Sequence, residues 1–569
     1  MTAESTDLTR HLDRILAIDP DAPAVEFEGR AFAYRALAQA ASALRCRLDA
    51  AGLPEGAAVG VVLRNDPAML AALVALIGRR GCVVALNPHQ GDERLARDVG
   101  ELALPAVVAL PRDWARAPLH DAVRATGALG LALSLDATSA DSDATATAQG
   151  AVTPFAASSL ADVEGCAFDP SRPHHPPLPG TAVQMLTSGT TGRPKRVALS
   201  LAAIAQSLLG AAHYQGGKQT SGDAARSIGQ TSADPVGGSD AAADRTQPRP
   251  LALRRGVAIV SAPLVHIGGL WRVLQGLVDG RPIALLERFE VEAWRALVVR
   301  HRPATASLVP AALRMVHAAD LPREELASLR AVVCGTAPLD PEEAERFEAR
   351  YGIPVLTTYG ATEFAGGVAG WTLDDHRRFA ASKRGSVGRA HPGCALRVVD
   401  PESGGAVAAG EEGLLEVRSA QLGRDAGWIR TTDRAVLDAD GFLFIRGRAD
   451  AAIVRGGFKV HPDEVVKVLE SHPAVAEAAV VGLADARLGA VPVAAVTLRI
   501  AQPRSGSGQA QASGDRVPDE AELRDHARRH LAAYQVPARI RIVEALPRTP
   551  SMKVSLAEVR ALFGADGTA

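Results

Sequence analysis

From residue 187 the chain reads Thr187, Ser188, Gly189, Thr190, Thr191, Gly192, Arg193, Pro194, Lys195. Small residues let backbone N–H groups approach a phosphate, the hydroxyls donate further hydrogen bonds, and the lysine supplies a mobile positive charge. The stretch therefore suits a polyphosphate cradle. It is not a Walker loop, whose lysine directly follows its second glycine, and taken alone it reads equally as a solvated turn before a helix. Two turns downstream each follow a buried apolar run. One holds Gly335, Thr336 and Ala337; the other holds Tyr359, Gly360, Ala361, Thr362 and Glu363. The second brings together a ring able to stack on a base, a hydroxyl able to bond a phosphate oxygen, and a carboxylate able to hold Mg²⁺. The competing reading is a helix start in which Thr362 and Glu363 complement the N-terminal dipole. Asp433, read as the end of a strand, suits a ribose diol or a β-turn. His266, among apolar and glycine residues, is either a satisfied core histidine or a pocket residue. Lys553, flanked by Thr, Pro and Ser, is by default a solvated charge.

The elements that must position these groups are readable from periodicity. Between residues 24 and 110, strands (24–27, 59–63, 82–86) alternate with helices (34–51, 67–77), the pattern of a parallel, layered α/β domain. Asn65, Asp66, Asn87 and the prolines after them read as turns or caps at strand ends. From about residue 385 short strands with Gly/Pro turns (395–399, 414–417, 442–445) predict a small antiparallel barrel or sheet. Beyond residue 461, helices (462–471, 520–531) and strands (475–483, 493–498, 539–543) predict an α+β unit of about 120 residues, an ordinary domain size. Residues 134–179 and 215–250 read as surface and low-complexity excursions. The second has too few large apolar residues to offset its ordering entropy. No cysteine or carboxylate stands by His174 and His175 to complete a metal site.

Composition narrows the classes. The formal net charge of the 569 residues is −2, and hydrophobic residues make up 47%, so no basic excess points to nucleic acid. No apolar run approaches the ~20 residues of a membrane helix, and the first residues lack a signal pattern. The cysteines (Cys46, Cys82, Cys166, Cys334, Cys394) are scattered, without metal-ligand spacing, and fit a reducing cytoplasm. The expectation is a cytoplasmic protein with no membrane span and no nucleic-acid partner.

Taken in order, these motifs resemble the adenylate-forming superfamily of acyl- and aryl-CoA synthetases, peptide-synthetase adenylation domains and luciferases, over residues 12 to 562. The resemblance implies a large N-terminal domain (1–447) of two layered α/β subdomains plus a β-barrel. A hinge (448–450, with Asp450 at the hinge position) and a smaller mobile α+β C-terminal domain (451–569) follow. It implies ATP-dependent activation of a carboxylic acid to an acyl-adenylate with release of pyrophosphate, then transfer to CoA. Loading of a carrier protein's phosphopantetheine is the alternative acceptor. A nucleotide- or acyl-binding protein with impaired catalysis is the alternative of another class.

By this resemblance Thr187, Ser188, Gly189, Thr190, Thr191, Gly192 and Lys195 hold the β- and γ-phosphates. Tyr359 and Gly360 lie by the adenine, with Gly335, Thr336 and Ala337 on its other side. Thr362 contacts the α-phosphate, Glu363 carries Mg²⁺, and Asp433 with Arg448 fixes the ribose. Lys553 bridges the α-phosphate and the attacking carboxylate. His266 gates the acyl pocket near the thiol tunnel, and Gly456, Gly457 and Lys459 form the CoA side, with Arg455 beside them. Three positions depart from the family's glycines: Arg196, Thr432 and Met552, of which Met552, next to Lys553, is the most consequential. The pocket segments (264–270, 333–339, 357–367) are rich in Gly and Ala and show no obvious buried charge, which predicts a neutral-tailed aliphatic or aromatic acid.

Overall fold

The computed structural model describes residues 7–137, 156–186, 195–214, 251–423, 427–449, 451–455, 458–485, 487–499, 518–549 and 552–564. A seven-stranded sheet organises the first subdomain. Its central strands Ala58–Val62, Cys82–Leu86 and Ala106–Ala109 run parallel and are buried at every residue. Continuous Val/Ala/Leu runs are what a sheet covered on both faces requires. The covering helix Pro67–Gly78 is buried almost all round. Asp66 starts it by accepting the Ala68 N–H at 2.9 Å, and proline holds the first helical position.

At one edge, Leu129–Ala137 pairs antiparallel with Ala156–Asp162. Part of the stretch expected to be a surface excursion is therefore ordered sheet. At the other edge, Thr181–Leu186 and Arg196–Ser200 form an antiparallel hairpin with Leu186 opposite Arg196, so the residues expected to cradle phosphate join two paired strands. Arg196 lies in that ladder and donates to the Ala85 carbonyl at 3.3 Å.

The second subdomain contains a sheet in the order Ala258–Val260, Ile283–Leu285, Pro23–Phe27, Arg30–Ala33. Beside it is a sheet in the order Thr305–Leu308, Ala331–Cys334, Val355–Ala361, Gly366–Gly370, Arg389–Ala390, whose first three strands are parallel. Trp294, Phe347, Tyr351, Leu308 and Val332 fill its core. An antiparallel meander follows: Cys394–Val399, Glu412–Ser419, Ile429–Leu437, Leu443–Arg448. It stands where the small barrel or sheet was expected. Asp433 lies within the third strand and not at its end, because the strand continues to Leu437.

In the C-terminal unit Ile453–Arg455, Phe458–Val460, Val475–Asp485 and Gly489–Leu498 pair antiparallel, and Arg539–Ile542 adds in parallel. Helices Pro462–Glu470 and Glu520–His530 complete a separate apolar core with Val465, Leu469, Leu523 and Ala527.

Candidate active site

The parallel strands Ala331–Cys334 and Val355–Ala361 end side by side, and their turns are pressed together. A Cβ on Gly335 would stand 2.6 Å from Thr358 Cγ2 and 3.0 Å from its carbonyl oxygen. One on Gly360 would stand 2.3 Å from the Gly366 carbonyl oxygen. Neither position accepts a side chain. Thr336 adopts φ +72°, a left-handed conformation that costs a non-glycine residue about 1–2 kcal/mol. Thr362 and Glu363 form a single 3-10 turn pinned by buried Phe364, which leaves the Glu363 carboxylate exposed. The competing helix-start reading is not realised, since the turn ends at Phe364.

Tyr359 and Asp433, 74 residues apart, meet: the Tyr359 hydroxyl donates to Asp433 Oδ2 at 2.5 Å. Burial and the Asp433 charge push the Tyr359 hydroxyl's pKa far up, so it stays a donor. The Asp433 N–H bonds Thr431 Oγ1 at 3.0 Å, and Asp433 sits opposite Arg448 in the strand register. The Tyr359 ring, the Asp433 carboxylate and Arg448 thus lie together.

His266 precedes helix Ile267–Val278, and its Nε2 is buried without a hydrogen-bond partner among the described residues. Its imidazole pKa is pushed down to about 4, first by burial and then by the charges of Lys553 and His89, so the ring is neutral at physiological pH. The segment before it is fixed from a distance. Asn65, which the sequence presents as a cap, donates to the carbonyls of Ala262 and Leu286 at 3.2 and 2.9 Å and accepts the Leu264 N–H at 2.8 Å. Nothing in the sequence near Asn65 signals that role.

The Lys553 charge acts on His266, and Met552 beside it packs on the second subdomain, so the terminal loop is docked on the N-terminal domain. Burial lowers the pKa of Lys553 itself. The loop is a tight hairpin: Thr549 N–H donates to the Lys553 carbonyl at 2.7 Å, and Met552 N–H to the Thr549 carbonyl at 2.8 Å. Met552 has φ +61°, the backbone conformation for which such hairpins use glycine. Its side chain packs against the core of the second subdomain, the cluster containing Leu308, Val332 and Cys334. The thioether therefore lies in the domain interface, on the second-subdomain side of the hairpin. Glu477 adds a charged link, bonding Arg314 of the N-terminal part and Arg548 of the hairpin, each at 2.5 Å.

At the junction, Gly447 has φ +112°, and a Cβ there would lie 2.1 Å from Asp463 Oδ2. Asp463 accepts the Arg448 backbone N–H. Arg455 Nη1 donates to the carbonyls of Tyr534 and Val536 at 3.0 and 3.2 Å, which ties strand Ile453–Arg455 to the segment before the last strand. Lys195 is exposed. Thr187, Ser188, Gly189, Thr190, Thr191, Gly192, Asp450, Gly456, Gly457 and the Lys459 side chain lie outside the described residues.

One partly buried charge went unnoticed in the sequence. Arg272, on the helix that follows His266, has no ion pair or hydrogen bond among the described residues, and burial pushes its pKa down to about 10. The expectation of a pocket without obvious buried charge rests on residues 264–270, 333–339 and 357–367 and does not take in this position. The arginine lies just past the segment taken to line the pocket, among apolar neighbours that read as core.

Comparison with known proteins places this architecture. The chain belongs to the AMP-binding enzymes: the profile of the "AMP-binding enzyme" family matches residues 12–425, and that of the "AMP-binding enzyme C-terminal domain" matches residues 464–553. Its relatives include an indoleacetate–CoA ligase of Aromatoleum aromaticum, 29% identical with 98% of each chain covered. A sulfoacetate–CoA ligase of Cupriavidus necator is 30% identical, with 95% of this chain and 93% of the relative covered. Among solved structures, ATP-bound MatB from Rhodopseudomonas palustris shares the fold at TM-score 0.73 and 22% identity, with 99% of both chains covered. The amide bond synthetase McbA from Marinactinospora thermotolerans does so at 0.67 and 25%, with 98% and 100% covered. Among the described residues no helix is long and apolar enough to cross a membrane.

Proposed function

We propose that this protein is an AMP-forming acid–CoA ligase, activating a carboxylic acid as its acyl-adenylate before thioester formation. The observation that carries this reading is the docking of the Lys553 loop on the N-terminal domain, with Met552 packed on the second subdomain's core, Glu477 joining Arg548 to Arg314, and the Lys553 charge acting on His266. The full-length match to CoA ligases supports the acceptor. In this reading Tyr359 and the 335–337 turn flank the adenine, Asp433 and Arg448 take the ribose hydroxyls, and Thr362 meets the α-phosphate. The exposed Glu363 carboxylate is an oxygen donor suited to Mg²⁺, which when bound neutralises phosphate charge. The loop of Thr187 to Gly192 with Lys195 holds the departing pyrophosphate.

The physical difficulty is bringing a carboxylate to a polyanion. Two unit charges 4 Å apart interact by about 4 kcal/mol at an effective dielectric of 20. Lys553, largely removed from water, supplies its charge where that screening is weakest. Neutral His266 adds no competing charge and leaves Nε2 free to bond the incoming acid. ATP–pyrophosphate exchange dependent on an added acid, followed by acyl-CoA formation on adding CoA, tests the proposal. Exchange without transfer to CoA, but with transfer to a pantetheinylated carrier protein, would replace the acceptor. ATP binding without exchange for any acid would support the impaired-catalysis alternative.

A further inference from the structure

Arg272 lies one helical turn beyond Gly268, and residues four apart share a helix face. That face looks onto the strand ends: a Cβ on Gly268 would stand 3.1 Å from Thr336 Cγ2. The opposite face, with Leu270, Val273, Leu274 and Leu277, is sealed in the core. Arg272 is thus directed towards the site and away from the apolar interior. The group that acts on its charge is Cys334, at the end of its strand, whose own thiol burial pushes up to about 12 and so keeps neutral. The carboxylate farther along the helix, Asp279, is engaged by the Gln275 amide at 3.0 Å and flanked by Arg254 and Arg281 at 3.7 and 3.5 Å. Trp271 beside Arg272 is held by its indole N–H bond to Ser207 Oγ at 2.8 Å, with its ring next to Gly366.

A guanidinium largely removed from water and left without a counter-charge is costly for a fold to retain. Arg272 keeps some accessible surface, so an anionic group can reach it. Long side chains on helices lean towards the helix N-terminus, and here that end carries His266. We propose that Arg272 is the specificity residue of the acyl pocket, binding a second anionic group, carboxylate or sulfonate, on the far end of the acid. The proposal rests on the reading of the site as acid-activating. Six residues of helix rise by about 9 Å, so with the arginine leaning back the two anionic ends of the acid stand roughly 4–9 Å apart, a short or medium diacid.

Matched pairs of acids test this: succinate with butyrate, adipate with hexanoate, terephthalate with p-toluate, each assayed by ATP–pyrophosphate exchange. The wild type is expected to favour the dianionic member. Arg272→Met is expected to lower kcat/KM for the dianion by about 10²-fold, chiefly through KM, and to narrow or invert the preference, with Arg272→Lys intermediate. Equal loss for both members of a pair, or a wild-type preference for the neutral-tailed acid, overturns the assignment. ATP affinity measured by calorimetry distinguishes the source of the anion: if Arg272→Met weakens ATP binding itself, the partner is a phosphate and the proposal fails. Thermal stabilisation by the same acids with a non-hydrolysable ATP analogue gives a readout independent of turnover. Stabilisation by diacids, lost in Arg272→Met, supports the site even if no acid is activated. No stabilisation by any diacid removes it. Failure of transfer to CoA leaves this comparison intact and bears only on the acceptor.

Discussion

Replacing Met552 separates two energies that act on the same residue. Its φ of +61° strains any residue except glycine by about 1–2 kcal/mol, but that strain belongs to the hairpin and is present whether or not the C-terminal unit is docked. It cancels from the docking equilibrium. The side-chain contact with the Leu308, Val332 and Cys334 cluster exists only when Lys553 faces His266. A fully buried side chain of this size contributes about 1.5–3 kcal/mol, so a half-buried one contributes ~1 kcal/mol. Met552→Gly and Met552→Ala should therefore lower the docked population, and with it ATP–pyrophosphate exchange, by the same factor of up to about fivefold. Thioester formation from a supplied acyl-adenylate should be unchanged. The two variants should differ in thermal stability, glycine melting higher because alanine retains the strain. Exchange that does not fall, or that falls equally with thioester formation, would refute the assignment of the contact to the adenylating orientation.

Further outcomes follow from the interface. Lys553→Ala should abolish exchange, a loss of at least ~10²–10³, yet spare thioester formation from supplied adenylate; equal loss of both halves would contradict a single-step role. Because the His266 pKa is held down to about 4, the pH profile of exchange should show no histidine limb between pH 5 and 8. A limb near 6.5 would mean that the ring is neither buried nor under the influence of the Lys553 charge. Glu470 is pushed from 4.5 up to about 7 by burial, with Asp340 and Glu477 adding to the shift and the Ala478 N–H and Arg314 opposing it. A folded pKa above the unfolded one means that its stabilisation is complete below about pH 4.5 and is lost as pH rises through about 7. Domain docking, followed by energy transfer between labels on the two units, should weaken across that window, and Glu470→Gln should remove the dependence.

The strands that carry the site were legible because each is a short, continuous apolar run ended by small residues, as at 331–334 and 82–86. The helix at 34–51, found at Tyr34–Ala50, was legible from its period. What escaped the sequence has physical causes. The Ile429–Leu437 strand contains Arg430, Thr431, Thr432, Asp433 and Arg434, whose polarity masks a strand half of which faces the site. Ala156–Asp162 is an edge strand of small residues, with little hydrophobic signal to distinguish it from a loop. Arg272 and Asn65 are single polar residues whose meaning depends on what the chain brings opposite them, and no local pattern encodes that. Met552 was seen as a departure, but whether its side chain would obstruct the lysine or face the partner domain depends on a backbone angle.

The Asn65 clasp carries a consequence for how the protein is made. Its acceptor carbonyl on Leu286 lies 221 residues downstream, and at 5–20 residues per second a ribosome takes about 10–45 s to deliver that segment. For that interval a nascent chain holding the first subdomain's strands has an amide destined for burial without its protein partner, and strand Pro23–Phe27 waits longer still for its neighbour Ile283–Leu285. The environment of His266 is therefore a late event in biosynthesis. Chaperone protection, if the chain draws on it, is needed over the stretch of synthesis between these two points.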